Sequence, residues 1–263
     1  MKTALITGAS GGLGYEFAHL LARKGYSLVL VARSEGKLYQ LKKELQKKYA
    51  KKLEITVIAK DLSEKDAALE IFEEVLEKGI EVNMLINNAG FGDFGRFAEC
   101  DWEKQYEMVQ VNIVAMMQMT KYFMKPMMER GQGHILNMAS TAAFQPGPFF
   151  SSYFASKAFV LSFTEAIAKE LEGSGVHAMA LCPGPTRTGF EEKAEAESSK
   201  LFKTFKMATA KNVVEFGYRK LMKNRVVAVH GFRNTMLTIG IKVTPRFLVR
   251  DIMYKLQGYQ KKI

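Results

Sequence analysis

A single α/β domain built on one parallel sheet, doubly wound by helices on both faces, is the fold class this sequence predicts. Three observations carry that expectation. Short apolar runs alternate with amphipathic helical patterns almost throughout the chain, as parallel strands and their crossover helices require. A glycine-rich turn separates the first apolar run from the first helical pattern. The 263 residues contain no internal repeat, low-complexity tract or interdomain linker, and they suffice to bury a substantial core.

The chain begins with the apolar run 3–7, followed by Gly8, Ser10, Gly12, Leu13 and Gly14, then a helical pattern through Phe17, Leu20, Leu21 and Ala22. Strand, glycine turn and helix form the expected context of a dinucleotide loop. The glycines admit a pyrophosphate to the backbone, and the helix N-terminus offers N–H groups to its charge. The spacing is Gly-x-x-x-Gly-x-Gly, and the alternative for such a turn taken alone is a mere tight connection. Residues 27–32 read as a second strand, apolar on both faces. Arg33 stands at its end, where an acid usually holds a ribose 2′-hydroxyl, and an arginine there suits a 2′-phosphate.

A basic helix follows over about 34–52, its charges forming a solvated face. The third strand is 55–59. Asp61 beyond it either touches an adenine edge or begins the helix 64–78. The fourth strand, 83–86, runs into Asn87, Asn88, Ala89 and Gly90, small and amide residues suited to a crevice floor. A glycine and phenylalanine loop (91–97) precedes a long helix, about 103–130, carrying Asn112 and a run of methionines that reads as core or subunit contact. A fifth strand, 134–139, delivers Ser140, with His134 at its start assigned no catalytic role.

Tyr153 and Lys157 then share one helix face at i and i+4, where an ammonium close to a phenol favours phenolate and lowers its pKa. Such a tyrosine can give or take a proton near neutral pH. After this helix, which runs to about 172, come a sixth strand (176–182), the segment from Pro183 to Phe190, and a charged stretch 191–200 read as a lid. A helix over about 211–223, a seventh strand (225–229) and two helical segments complete the chain.

These motifs resemble, in order and spacing over residues 3–230, the short-chain dehydrogenase/reductase family and its NADP-preferring subgroup. Thr7 to Gly14 matches the family's glycine motif, residues 87–90 its Asn-Asn-Ala-Gly element, and residues 183–188 its nicotinamide-holding segment. The resemblance implies a Rossmann-type sheet of about seven strands in residues 1–230, with 231–263 as a basic helical tail. It implies a catalytic group of Asn112, Ser140, Tyr153 and Lys157. Tyr153 is then the general acid or base, Lys157 tunes it and bonds the nicotinamide ribose, Ser140 bonds the substrate oxygen, and Asn112 holds a relay water. NADP(H) is the implied cofactor, held by Gly8, Ser10, Gly12, Leu13, Gly14, Arg33 and Asp61 at one end. Asn88, Ala89, Gly90, Tyr153, Lys157, Pro183, Gly184, Thr186 and Thr188 hold it at the other.

The implied reaction interconverts a ketone and a secondary alcohol. Candidate pocket residues are Phe91, Phe94, Phe97, Ala142, Phe144, Phe149, Phe150, Phe154 and Phe190, a lining that suits a bulky apolar substrate such as a hydroxysteroid or bile acid. The alternatives are a 3-oxoacyl thioester and a non-catalytic NADP-binding regulator. Two cysteines exclude a disulfide framework and offer no metal site, and no apolar run reaches the length of a membrane span. The expected protein is soluble and cytoplasmic, a homodimer or homotetramer. The net charge of +11 is concentrated at the end of the chain, where seven basic residues face one acid from Phe232 onward. No motif marks nucleic acid as the partner. The tail reads as a helix packed on the domain or on a second subunit, or as a peripheral membrane contact.

Overall fold

The computed structural model describes residues 2–49, 53–190, 194 and 207–258. Seven parallel strands form the main sheet: β1 (Thr3–Thr7), β2 (Ser27–Ala32), β3 (Ile55–Ala59), β4 (Val82–Asn87), β5 (Gly133–Met138), β6 (Val176–Cys182) and β9 (Val227–Val229), in the order β3-β2-β1-β4-β5-β6-β9. Strand order reverses between β1 and β4, and that switch point opens a crevice at the carboxyl ends of the strands. A separate pair, β7 (Thr186–Arg187) with β8 (Ala208–Thr209), has no counterpart in the sequence expectation.

The strands are readable because both of their faces are buried. In β1, Ala4 and Ile6 point into one apolar layer and Leu5 into the other, as the two-residue side-chain period requires. The first layer packs against α1 (Gly12–Arg23), α2 (Glu35–Lys48) and α7 (Ala210–Leu221), through Phe17, Leu21, Leu38, Leu45, Val213 and Leu221. The second packs against α3 (Ala67–Glu77), α5 (Met116–Glu129) and α6 (Ser151–Glu170), through Ile71, Phe123, Met127 and Ile167. Each such fully buried side chain contributes about 1.5–3 kcal/mol.

The long helix expected over 103–130 is not uniform. It starts as α4 (Trp102–Val109), widens into a π-helical turn (Gln110–Ala115), and resumes as α5. Asn112 lies in that turn, a local irregularity of the kind found at functional sites. Most of the expected lid, 191–200, lies outside the described residues. Two helices, α8 (Phe232–Val243) and α9 (Arg246–Gln257), end the described chain. Among the described residues no helix is long and apolar enough to cross a membrane.

Candidate active site

At the carboxyl ends of β1, β2, β4, β5 and β6 lies a cleft of about 480 Å³. Gly8, Ser10, Gly12 and Leu13 line it, as do Arg33 and Asp61, Asn88 to Gly90, Tyr153, Lys157, Pro183, Gly184, Thr186 and Thr188. Of the expected cofactor residues only Gly14 is not on the wall. Its place is one layer behind, where a Cβ would stand 2.2 Å from the Gly8 carbonyl oxygen, so only glycine lets α1 come this close to β1. Gly12 holds a φ of +55°, in the left-handed region. No side chain caps the start of α1 and no acid occupies its first turn, leaving the end of the helix dipole to an anion.

At the other end of this cleft the Arg33 guanidinium is 3.6 Å from the Asp61 carboxylate and 70% exposed. Burial pushes the Asp61 carboxyl up, but bonds from the Ser63 backbone (2.9 Å) and hydroxyl (2.8 Å), with Arg33, outweigh it and hold it below the usual range. Lys37 and Lys60 line the same end. A cleft with a glycine cradle, an open helix N-terminus and three cations at its far end fits a dinucleotide carrying an extra phosphate.

Sequence reasoning missed Thr7 as a positioning residue. Its hydroxyl oxygen accepts from the Asn88 and Ala89 backbone N–H groups, both at 3.0 Å. The Asn88 amide in turn donates to the Thr7 and Gly8 carbonyls at 3.0 and 3.2 Å. Together they lock the end of β4 to the glycine turn, so the Asn88 side chain holds the wall of the cleft.

Ser140, Tyr153 and Lys157 converge where β5 meets α6. The Ser140 hydroxyl accepts from the Ala142 N–H at 3.1 Å and donates to the Pro183 carbonyl at 3.4 Å. Lys157 is buried and donates to the Met138 carbonyl at 2.8 Å, with its ammonium 5.7 Å from the Tyr153 ring centroid. The expected lowering of the phenol pKa by this lysine is not what the chain alone produces. Burial pushes Tyr153 up to about 12 against the opposing effect of Ser140, and burial lowers Lys157 to about 8. Asn112 binds both ends of Phe91: its amide donates to the carbonyl at 2.9 Å and its oxygen accepts from the N–H at 3.1 Å. A Cβ on Gly90 would lie 2.8 Å from the Asn112 Oδ1 and 3.3 Å from the Lys157 Nζ, so those two side chains flank one backbone position.

A second cavity, about 770 Å³ and mostly apolar, opens on the other side of Tyr153. Ala142, Phe150, Phe154 and Phe190 line it as expected. Phe94 and Phe149 back it in the same apolar cluster. Phe144 packs elsewhere, Phe97 is exposed, and Phe91 lies on the other cleft. The far wall is the tail: Met236, Leu237 and Ile241 of α8 with Val249, Met253 and Leu256 of α9. The helical spacing of α9 was legible, but periodicity does not say which surface a helix face meets. The two free cysteines take no part; burial raises Cys100 to about 11 and Cys182 to about 12.

Comparison with known proteins places this geometry among relatives. The family model for short chain dehydrogenase matches residues 2–199. A very-long-chain 3-oxoacyl-CoA reductase of Phaeosphaeria nodorum is 38% identical over 177 residues, 66% of this chain and 52% of that protein, so the chain spans about half the length of this relative. A solved 7beta-hydroxysteroid dehydrogenase, studied for its stereoselectivity, superposes with a TM-score of 0.85 at 27% identity over 96% of both chains. A short-chain dehydrogenase from Sphingobium yanoikuyae in complex with NADPH gives a TM-score of 0.82 at 25% identity, covering 99% of this chain and 98% of that one.

Proposed function

Because this chain belongs to the short chain dehydrogenase family, we propose that it is an NADP(H)-dependent oxidoreductase interconverting a bulky apolar ketone and its secondary alcohol. The observation that carries this reading is the meeting of two cavities at one phenol. Ser140 and Tyr153 line both the glycine-walled cleft and the apolar cavity. A substrate carbonyl in the apolar cavity is thereby brought beside the cofactor's end of the cleft. The NADPH bound by the Sphingobium relative and the Arg33 end of this cleft support NADP(H) as the cofactor.

The nicotinamide, when bound, supplies or takes up the hydride. Tyr153, protonated at neutral pH with its pKa about 12, gives its proton to the substrate oxygen in reduction; in the reverse direction only its phenolate form can take the alcohol proton. The Ser140 hydroxyl donates to the same oxygen as negative charge develops there. Lys157, anchored on the Met138 carbonyl, keeps a positive charge near the phenol and favours its ionised form as the proton leaves. Asn112 fixes the Phe91 backbone at the mouth of the Lys157 site.

The size and apolar lining of the second cavity, with the hydroxysteroid dehydrogenase among the structural relatives, favour a steroid or bile-acid ketone. A long-chain 3-oxoacyl thioester is the second reading, favoured by the 38% identity to a reductase of that class. The deciding experiment follows NADPH consumption with ketosteroids, keto bile acids, long 3-oxoacyl thioesters and small ketones. Turnover should be fastest with the ring ketones; turnover confined to thioesters selects the second reading. Tyr153→Phe should lower turnover roughly 100-fold or more while NADPH binding, read by fluorescence, stays within a few-fold. Unchanged turnover overturns the proton-transfer assignment.

A further inference from the structure

The last two helices present an apolar face that the catalytic arrangement leaves uncovered. On α8, Phe232, Met236, Ile239 and Val243 recur at the i, i+4, i+7, i+11 spacing of one stripe, and all are exposed, Val243 at 83%. On α9, Phe247, Leu248, Ile252 and Tyr254 are exposed as well. Isolated apolar side chains on a surface are ordinary, but a cluster of this size marks a contact site.

Its charge identifies what it contacts. Arg233, Lys242, Arg246, Arg250 and Lys255 are all exposed on these two helices, against the single acid Asp251. We infer that the α8–α9 surface docks onto an anionic lipid bilayer. Its apolar stripe enters the acyl boundary and its cations reach the headgroup phosphates. A second copy of the chain is a poorer occupant, because a two-fold contact would set this basic surface against itself. Neither helix is long enough to cross the bilayer, so the contact is peripheral.

The same face holds the mouth of the apolar cavity: Phe232, Met236, Leu237 and Ile252 are exposed and also line that cavity. On the ketone-reductase reading, from which this part follows, the bilayer is the reservoir the substrate leaves to reach Tyr153.

The test uses the full chain and co-sedimentation with vesicles, without substrate. Binding to phosphatidylcholine vesicles containing phosphatidylserine should exceed binding to phosphatidylcholine alone by ~10-fold or more and should fall as salt is added. The triple variant Ile239→Asp, Val243→Asp, Phe247→Asp, none of whose positions lines the cavity, should lose binding while keeping its melting temperature and its turnover of a water-soluble ketone. Arg246→Glu with Arg250→Glu should weaken binding to the anionic vesicles alone. Failure of the unaltered chain to bind anionic vesicles, or equal binding by the triple variant, overturns the proposal. So does lipid-free self-association that the triple variant abolishes, which assigns the face to a second copy. Because sedimentation needs no turnover, docking and the ketone-reductase reading fail separately.

Discussion

The Arg33 guanidinium is 70% exposed and 3.6 Å from the Asp61 carboxylate, and the proposed function assigns it to a ribose 2′-phosphate. A charge-assisted bond to a phosphate is about twice as strong as a neutral one. Arg33→Ala should therefore raise the NADPH dissociation constant ~10-fold or more and leave NADH nearly unchanged; equal losses for both cofactors would refute the 2′-phosphate assignment. At this scale the sequence exposes residues whose spacing is itself the chemistry. The placement of Tyr153 and Lys157 on one wall was legible because one helical turn separates them, and that of Ser140 because it follows a strand. Thr7 was not, since a threonine at the end of a strand carries no mark of the two backbone N–H groups it will accept. The direction of the Tyr153 pKa was misread for a similar reason. A sequence shows a lysine four residues away, but not the burial of the phenol, which raises its pKa with only Ser140 opposing.

Strands and inner helices were legible as elements because continuous apolar runs and helical stripes follow directly from being buried. The π-helical turn at Gln110–Ala115 was not, because nothing in those residues signals a widened hydrogen-bond ladder. The tail was legible only as helices: α8 is apolar on its outer stripe and on the side facing the cavity, so its pattern does not announce an inner face. On the proposed function, that inner side makes α8 a determinant of substrate size. Ile241 lines the cavity and packs against the Phe94, Phe150 and Phe154 cluster. Ile241→Trp should raise KM for a ring ketone roughly 10-fold by filling that volume while sparing a small ketone and NADPH binding. An equal loss with the small ketone would mean that α8 shapes the fold and not the pocket.

Across the whole molecule, acid should destabilise the sheet through a histidine near the amino end of the inner strand β5. His134 pairs with Met84 on one side and His177 on the other. Burial, then the charges of His177 and Lys2, lower its pKa to about 4. Unfolded histidine titrates near 6.5, so between these values the unfolded chain binds a proton that the folded chain refuses, and stability falls as pH drops through that window. His134→Gln should lower the melting temperature less than the unaltered chain does between pH 7 and pH 4.5; identical acid profiles would assign the effect elsewhere. Among the described residues, the two cavities share only Ser140, Tyr153, Gly184 and Phe190. The protein is therefore modular at its centre. On the proposed function, the walls that choose a substrate, most of them in α8 and α9, can be rewritten by engineering or by drift while the nucleotide cradle stays constant, and only these four positions must satisfy both.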